Sequence, residues 1–178
     1  MEGLHAAGLI ALRDLHSVYE ALFLRGVTSF EFFLEALFLA ILREKVTYPK
    51  RRGVVLRMTP ASDKALQDIL LQSAKYLQWL PFEHTQKRAK VYLGEGKPFT
   101  DLTPGDGSII KTVTTIRNAI AHSSTHAKNE FERTVIGSRF LLRGERTPAG
   151  FLRSQANPAQ NQFEIYMIEL SRIAKSLC

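Results

Sequence analysis

Cysteine is almost missing from this chain: of 178 residues, only Cys178 carries a thiol. A single thiol forms no internal disulfide and cannot build a cysteine-based zinc site, and such usage fits a reducing cytosol. No basic-then-apolar leader opens the sequence, so a cytoplasmic rather than a secreted protein is expected. Long uninterrupted apolar runs are also lacking. The greasiest stretch, FEFFLEALFLAIL at 30–42, contains Glu31 and Glu35 and is too short to span a bilayer, so no membrane association is expected. Neither internal repeats nor low-complexity tracts occur, and there is no strand–helix alternation of the kind that signals a parallel sheet. GxSxG and HExxH are absent, and GEGKPF (94–99) has glycines and a lysine without the GxxxxGK[ST] spacing of a phosphate-binding loop. Serine-nucleophile, zinc-protease and P-loop chemistry therefore have no anchor, and neither a cofactor nor a metal is expected.

What is present is a globular composition with a basic surplus. Hydrophobic residues make up 45% of the chain, enough for one domain with a real core over 1–178. The formal net charge is +7, which leans toward a polyanionic partner such as RNA.

Apolar periodicity predicts helices nearly throughout. Leu4, Gly8, Ala11, Leu15, Val18 and Leu22 mark one face of a helix over about 3–25, closed by Gly26. Thr28 and Glu31 have the form of a capping box for a second, central helix running to about Lys45. A basic connection, VTYPKRRGVVLRMTP (46–60), holds Lys50, Arg51, Arg52 and Arg57. Ser62 or Asp63 can cap a third helix with Leu66, Ile69, Leu70, Leu77 and Leu80 on its inner face. A short basic helix at 82–93 carries His84 and Arg88, and a loop at 94–107 precedes a helix starting near Asp106. AKNEFERTVI (127–136) either continues that helix or forms a separate one. Residues 137–158 read as irregular chain with room for short strands, and hold Arg139, Arg143, Arg146 and Arg153 against Glu145. The last helix covers about 159–177. The sum is an all-α helical bundle of about five to six helices joined by basic irregular connections.

The stretch TTIRNAIAHSS (114–124) carries the densest chemistry. Arginine, four residues, then histidine is cheap as a pattern: with 14 arginines and five histidines, chance supplies about 0.4 such matches. Placement on a helix is more informative. At about 100° per residue, Ile109, Val113, Ile116 and Ile120 form a core stripe. Lys111, Thr115, Asn118 and His122 form a second row on the opposite side, and Arg117 lies between the two, about 140° from His122 and about 7.5 Å along the axis. Phosphoryl transfer on RNA needs a proton shuttle and a fixed cation near the phosphate. Histidine can shuttle protons, and arginine binds phosphate through a planar fork. One helix supplies one of each, splayed apart, so a complete site requires two copies of the row across a two-fold axis. A solvated helix face remains the plain structural alternative.

IRNAIAHSS resembles the signature of the HEPN superfamily of all-α domains, in which arginine, a polar residue such as asparagine and then histidine stand near a helix end. Arg117, Asn118 and His122 match it with a four-residue gap. The basic helix before the motif, GKPF (96–99) and TPAGFLRS (147–154) look like the HEPN group associated with RNA-ligase and phosphatase modules, so the resemblance covers roughly 80–175. It implies a metal-independent endoribonuclease acting as a homodimer, with 2′-hydroxyl attack leaving a cyclic phosphate and a 5′-hydroxyl. It also implies a toxin–antitoxin, anti-phage or RNA-processing setting, with an antitoxin or regulatory protein as a possible partner. Carried over, His122 handles the proton or leaving group, Arg117 neutralises the phosphate, and Asn118 positions one of them or contacts RNA. Some members bind RNA without cutting, so a non-catalytic RNA-binding or antitoxin-partnered module stays open.

Further candidates surround the motif. Lys111, Thr115, Arg88, Lys50, Arg51 and Arg143 are candidate RNA contacts, joined by Arg52, Arg139, Arg146 and Arg153 as backbone-positioning cations. Phe140 and Phe151 interleave with these arginines as base-stacking candidates, although core positions suit both better. His122, His126 and Glu130 fall at i, i+4 and i+8, a ligand spacing if the helix continues, but nothing else supports a metal. Ser123 and Ser124 read as helix-terminal hydroxyls.

Overall fold

The computed structural model describes residues 1–43, 53–58, 62, 64, 70, 77–122 and 124–178. The expected third helix falls outside these residues apart from Ser62, Lys64 and Leu70; its expected end at 77–80 is described and is not helical, although Leu80 is buried. Lys50, Arg51 and Arg52 also fall outside them. Along the chain, α1 is Glu2–Ala6, α2 Leu12–Leu42, α3 Phe82–Tyr92, α4 Pro104–Ala121, α5 Thr125–Phe131, α6 Pro148–Arg153 and α7 Gln162–Leu177. A π-turn follows α5 at Glu132–Ile136, 3-10 turns occupy Gly94–Gly96 and Arg143–Arg146, and a two-stranded antiparallel ribbon pairs β1 (Gln155–Asn157) with β2 (Gln160–Asn161). The protein is all-α, and no described helix is long and apolar enough to cross a membrane.

The N-terminal half differs from the sequence expectation in two respects: the helix expected over about 3–25 is broken at 7–11, between α1 and α2, and no boundary falls at Gly26. Gly26 does not stop a helix, and Thr28 and Glu31 do not cap a new one, because α2 runs through all three. The physical reason lies at Gly26: a Cβ there would sit 2.3 Å from Met167 Sδ, so glycine admits a close approach by α7 rather than ending α2. Ser29 donates to the Arg25 carbonyl at 2.9 Å, keeping its hydroxyl inside the helix. The buried stripe of α2 is Leu15, Phe23, Val27, Phe30, Leu34, Phe38 and Ile41, in steps of three and four after the first turns, whereas Leu4 and Leu22 are exposed.

Two compact units divide the chain. The first comprises residues 1–29 and 111–171, the second 30–110 and 172–178, so α2, α4 and α7 contribute residues to both. In the first, Phe151 is fully buried, with ring centroids 6.1 Å from Phe131 and 6.3 Å from Tyr166. A polar clasp fixes α1: Arg153 donates from Nε and Nη2 to the two carboxylate oxygens of Glu2, each at 3.0 Å. Arg153 holds the Glu2 carboxyl below its ordinary range, while burial and Glu2 push the Tyr19 phenol up to about 12. In the second unit, Phe38 is the hub, with Trp79, Phe99 and Tyr92 at 5.3, 5.6 and 6.2 Å. Leu56 pairs with Leu93 in an isolated antiparallel bridge.

Two helices start on the same device. Thr103 precedes Pro104 and exchanges bonds with Asp106: the Thr103 amide and hydroxyl donate to Asp106 Oδ2 at 3.0 and 2.7 Å, and the Asp106 amide donates to Thr103 Oγ1 at 3.2 Å. Thr147 precedes Pro148 and accepts from the Gly150 amide at 3.1 Å. The second case makes TPAGFLR a helix where irregular chain was expected. The 3-10 turn takes 143–146 and the first ribbon strand 155–157, while 137–142 is irregular, as expected.

Candidate active site

Burial on α4 is centred differently from the stripe of isoleucines and valine. Ile110, Val113 and Ile116 are fully buried, Asp106 and Thr114 nearly so, while Ile109 and Ile120 are only half-buried. With Ala119 also buried, on a helical wheel this broadens the inner face, turns its centre by roughly 30° and brings Arg117 into its arc, between the directions of Val113 and Ile110. Arg117 is accordingly half-buried at the last turn. Its Nη1 donates to Asn118 Oδ1 at 3.2 Å, and among the described residues it has no ion pair. A planar cation is thus held by its neighbouring amide, with its remaining donors not neutralised by a described carboxylate.

His122 stands one residue beyond the last helical residue. Its amide still donates to the Asn118 carbonyl at 2.9 Å, and its ring is exposed. The helix ends here because Ser124 restarts the chain as N-cap of α5, accepting from the Ala127 amide at 3.3 Å. AKNEFERTVI therefore belongs to a separate helix and the π-turn. His122, His126 and Glu130 do not form one continuous row, and no group of three His, Cys, Asp or Glu side chains is placed to hold a metal among the described residues. Ser123 lies outside the described residues.

Lys111 is exposed on the outer row, and Thr115 turns its hydroxyl back to the Lys111 carbonyl at 3.0 Å. Across from this row, the Glu130 carboxyl is held below its usual range, first by a hydrogen bond from Arg133 and then by the charges of Arg133, His126 and Lys111. Of the outer row, Lys111 thus lies within electrostatic reach of the Glu130 carboxyl on α5. Lys111, Thr115, Arg117, Asn118 and His122 are brought together in the first unit.

The other candidate cations are mostly occupied. Arg88 is half-buried in the second unit, its guanidinium 4.7 Å from the Trp79 ring centroid, and it donates to the Gln78 carbonyl at 3.2 Å. Burial lowers its pKa, partly offset by Tyr92 and Glu35. Arg139 lies 5.3 Å from the Phe151 ring centroid, Arg146 pairs with Glu132, and Arg153 is in the Glu2 clasp. Arg143, at the start of its 3-10 turn, is exposed with no ion pair among the described residues. The two phenylalanines part company: Phe151 is core, as expected, but Phe140 is fully exposed.

No family model, no curated protein and no solved structure matches the chain.

Proposed function

We propose that this chain is a metal-independent endoribonuclease of the HEPN type, acting as a homodimer in which two α4 ends face one another. The observation that carries the reading is the end of α4: a half-buried Arg117 steadied by Asn118, next to an exposed His122. Arg117 is the phosphate-neutralising cation, His122 transfers the proton to or from the ribose or leaving oxygen, and Asn118 holds the guanidinium plane. On an ideal helix Arg117 and His122 are splayed by about 140°, which favours a site completed by the facing copy across a two-fold axis. In the reaction, the 2′-hydroxyl loses its proton and attacks phosphorus. The P–O5′ bond breaks, and the leaving oxygen takes up a proton, giving a 2′,3′-cyclic phosphate and a 5′-hydroxyl. Toxin–antitoxin, anti-phage and RNA-processing roles all fit this activity.

Cleavage of single-stranded RNA in the presence of a chelator, with end-group analysis of the products, tests the proposal. The wild type should give cyclic-phosphate ends. His122→Ala should abolish cutting and leave the oligomer intact. Full activity in His122→Ala overturns the catalytic assignment, and an active monomer at micromolar concentration overturns the composite site. RNA binding without cleavage under any condition, indifferent to His122→Ala, identifies a non-catalytic binding module instead.

A further inference from the structure

Between the π-turn and the 3-10 turn, the segment SRFLLR (138–143) carries two large apolar side chains into solvent: Phe140 is fully exposed and Leu142 is 75% exposed. Such exposure is costly to leave unused, since a buried aromatic ring removes roughly 150–250 Å² from water. The segment is tied down on both sides of Phe140. Gly137, in the left-handed region at φ 50°, donates to the Glu132 carbonyl at 2.8 Å, and Arg139 donates its amide to Ile136 at 3.1 Å. Leu142 donates its amide to the Glu145 carboxylate at 2.8 Å. The Arg139 guanidinium lies over the buried Phe151 ring. Phe140 is therefore presented on an anchored stretch of backbone, with Arg143 three residues away and exposed.

We infer that Phe140 is a stacking platform for an unpaired nucleobase of a single-stranded nucleic acid, with Arg143 holding the adjoining phosphate. This rests on the ribonuclease reading and names one contact through which that reading engages its substrate. An aromatic face beside a free cation is the minimal unit of sequence-tolerant single-strand binding. A second copy of the chain fits this surface less well. A two-fold pairing here brings Arg139 and Arg143 of both copies together, the segment itself holds no acid, and the carboxylate of Glu145, two residues beyond it, already accepts from Leu142. One phenylalanine and one leucine also fall far short of the roughly 800 Å² per partner that a stable interface buries. Phe140 lies in the same compact unit as Arg117 and His122.

The test uses the full chain and two probes: a short 2′-O-methyl oligoadenylate, which resists 2′-hydroxyl attack, and the same backbone with abasic sugars. Wild type should prefer the base-bearing strand. Phe140→Ala should lose most of that preference, weakening binding roughly tenfold, with little change on the abasic strand. Phe140→Leu should behave like Phe140→Ala, and Phe140→Trp should keep the affinity and show quenched tryptophan fluorescence on binding. Equal affinity of wild type and Phe140→Ala for the oligoadenylate overturns the inference while leaving the ribonuclease reading standing. A Phe140→Ala protein that changes its sedimentation behaviour but not its affinity assigns the surface to a protein partner and overturns it likewise. If wild type binds neither strand at low salt, RNA as substrate fails first and Phe140 with it.

Discussion

Two glycines six residues apart should respond oppositely to the same substitution. At Gly150, an added Cβ would lie 1.9 Å from the Gly144 carbonyl oxygen and 3.0 Å from Glu145 Cα. Both neighbours are backbone, so no side chain can swing aside, and the carbonyl must retreat by roughly 1.5 Å to reach ordinary contact. That movement displaces the 3-10 turn Arg143–Arg146, and with it the Arg146–Glu132 pair and the Leu142–Glu145 bond. Overpacking of this kind costs about 1–3 kcal/mol. Stiffening of the unfolded chain returns about 0.4–1 kcal/mol. Gly150→Ala should therefore destabilise by about 2 kcal/mol at the upper end of the overpacking range, a fall in Tm of roughly 4–8 °C for a chain of this size. Gly144→Ala meets nothing within 4 Å and has no left-handed backbone to strain, so it should be neutral or stabilise by up to about 1 kcal/mol. Urea denaturation of both variants with unchanged slope measures the difference directly. Equal stability of Gly150→Ala and wild type would show that α6 and the 3-10 turn do not approach as described.

Arg172 and Thr103 hold the nearly buried Asp106 carboxyl below its ordinary range. A depressed carboxylate contributes stability that is present above its unfolded value, roughly 4, and is lost as pH falls through the folded value. Asp106→Asn should therefore be destabilised at neutral pH, and its deficit against wild type should shrink in acid, as read by denaturant melts across pH. Glu2→Gln and Arg153→Lys each break the same two-pronged pair, so the double variant should lose no more than about 0.5 kcal/mol beyond the worse single one, whereas additive losses would contradict a shared clasp. Arg88→Lys should weaken the fold through its lost stack on Trp79 while changing RNA affinity less than Arg143→Ala does, measured by thermal melts and fluorescence anisotropy. RNA affinity should fall steeply with added salt, and Arg143→Ala should reduce that slope by about one.

Local chemistry made much of the fold readable. The helices α3, α4 and α7 follow from apolar spacing and local breaks, whereas the end of α4 is open in the sequence and is set by Ser124 capping α5. Thr103–Pro104 and Thr147–Pro148 carried a local signal too. It is legible in the residues, since a capping hydroxyl followed by a proline at the first helical position specifies a start, but the apolar pattern around TPAGFLR is too short to draw attention to it. Gly26 and Thr28 were misleading for the opposite reason. Their local preferences favour a break, and the close approach of Met167, from a residue 141 positions later, makes glycine useful inside an unbroken helix.

The sequence by itself determined the all-α class, the basic surplus, and the presence of arginine, asparagine and histidine within one helical segment, because these depend on composition and on contacts within a few residues. The tertiary structure decided which way each of them faces. Burial of Ile110 and Thr114 turned Arg117 inward. Partners far along the chain engaged Arg146 and Arg153, and Arg88 was taken up by Trp79. Phe151 went into the core while Phe140, eleven residues earlier, was left in water. Side chains alike in type were separated only by where the chain put their neighbours, and burial is a property of neighbours rather than of residue type.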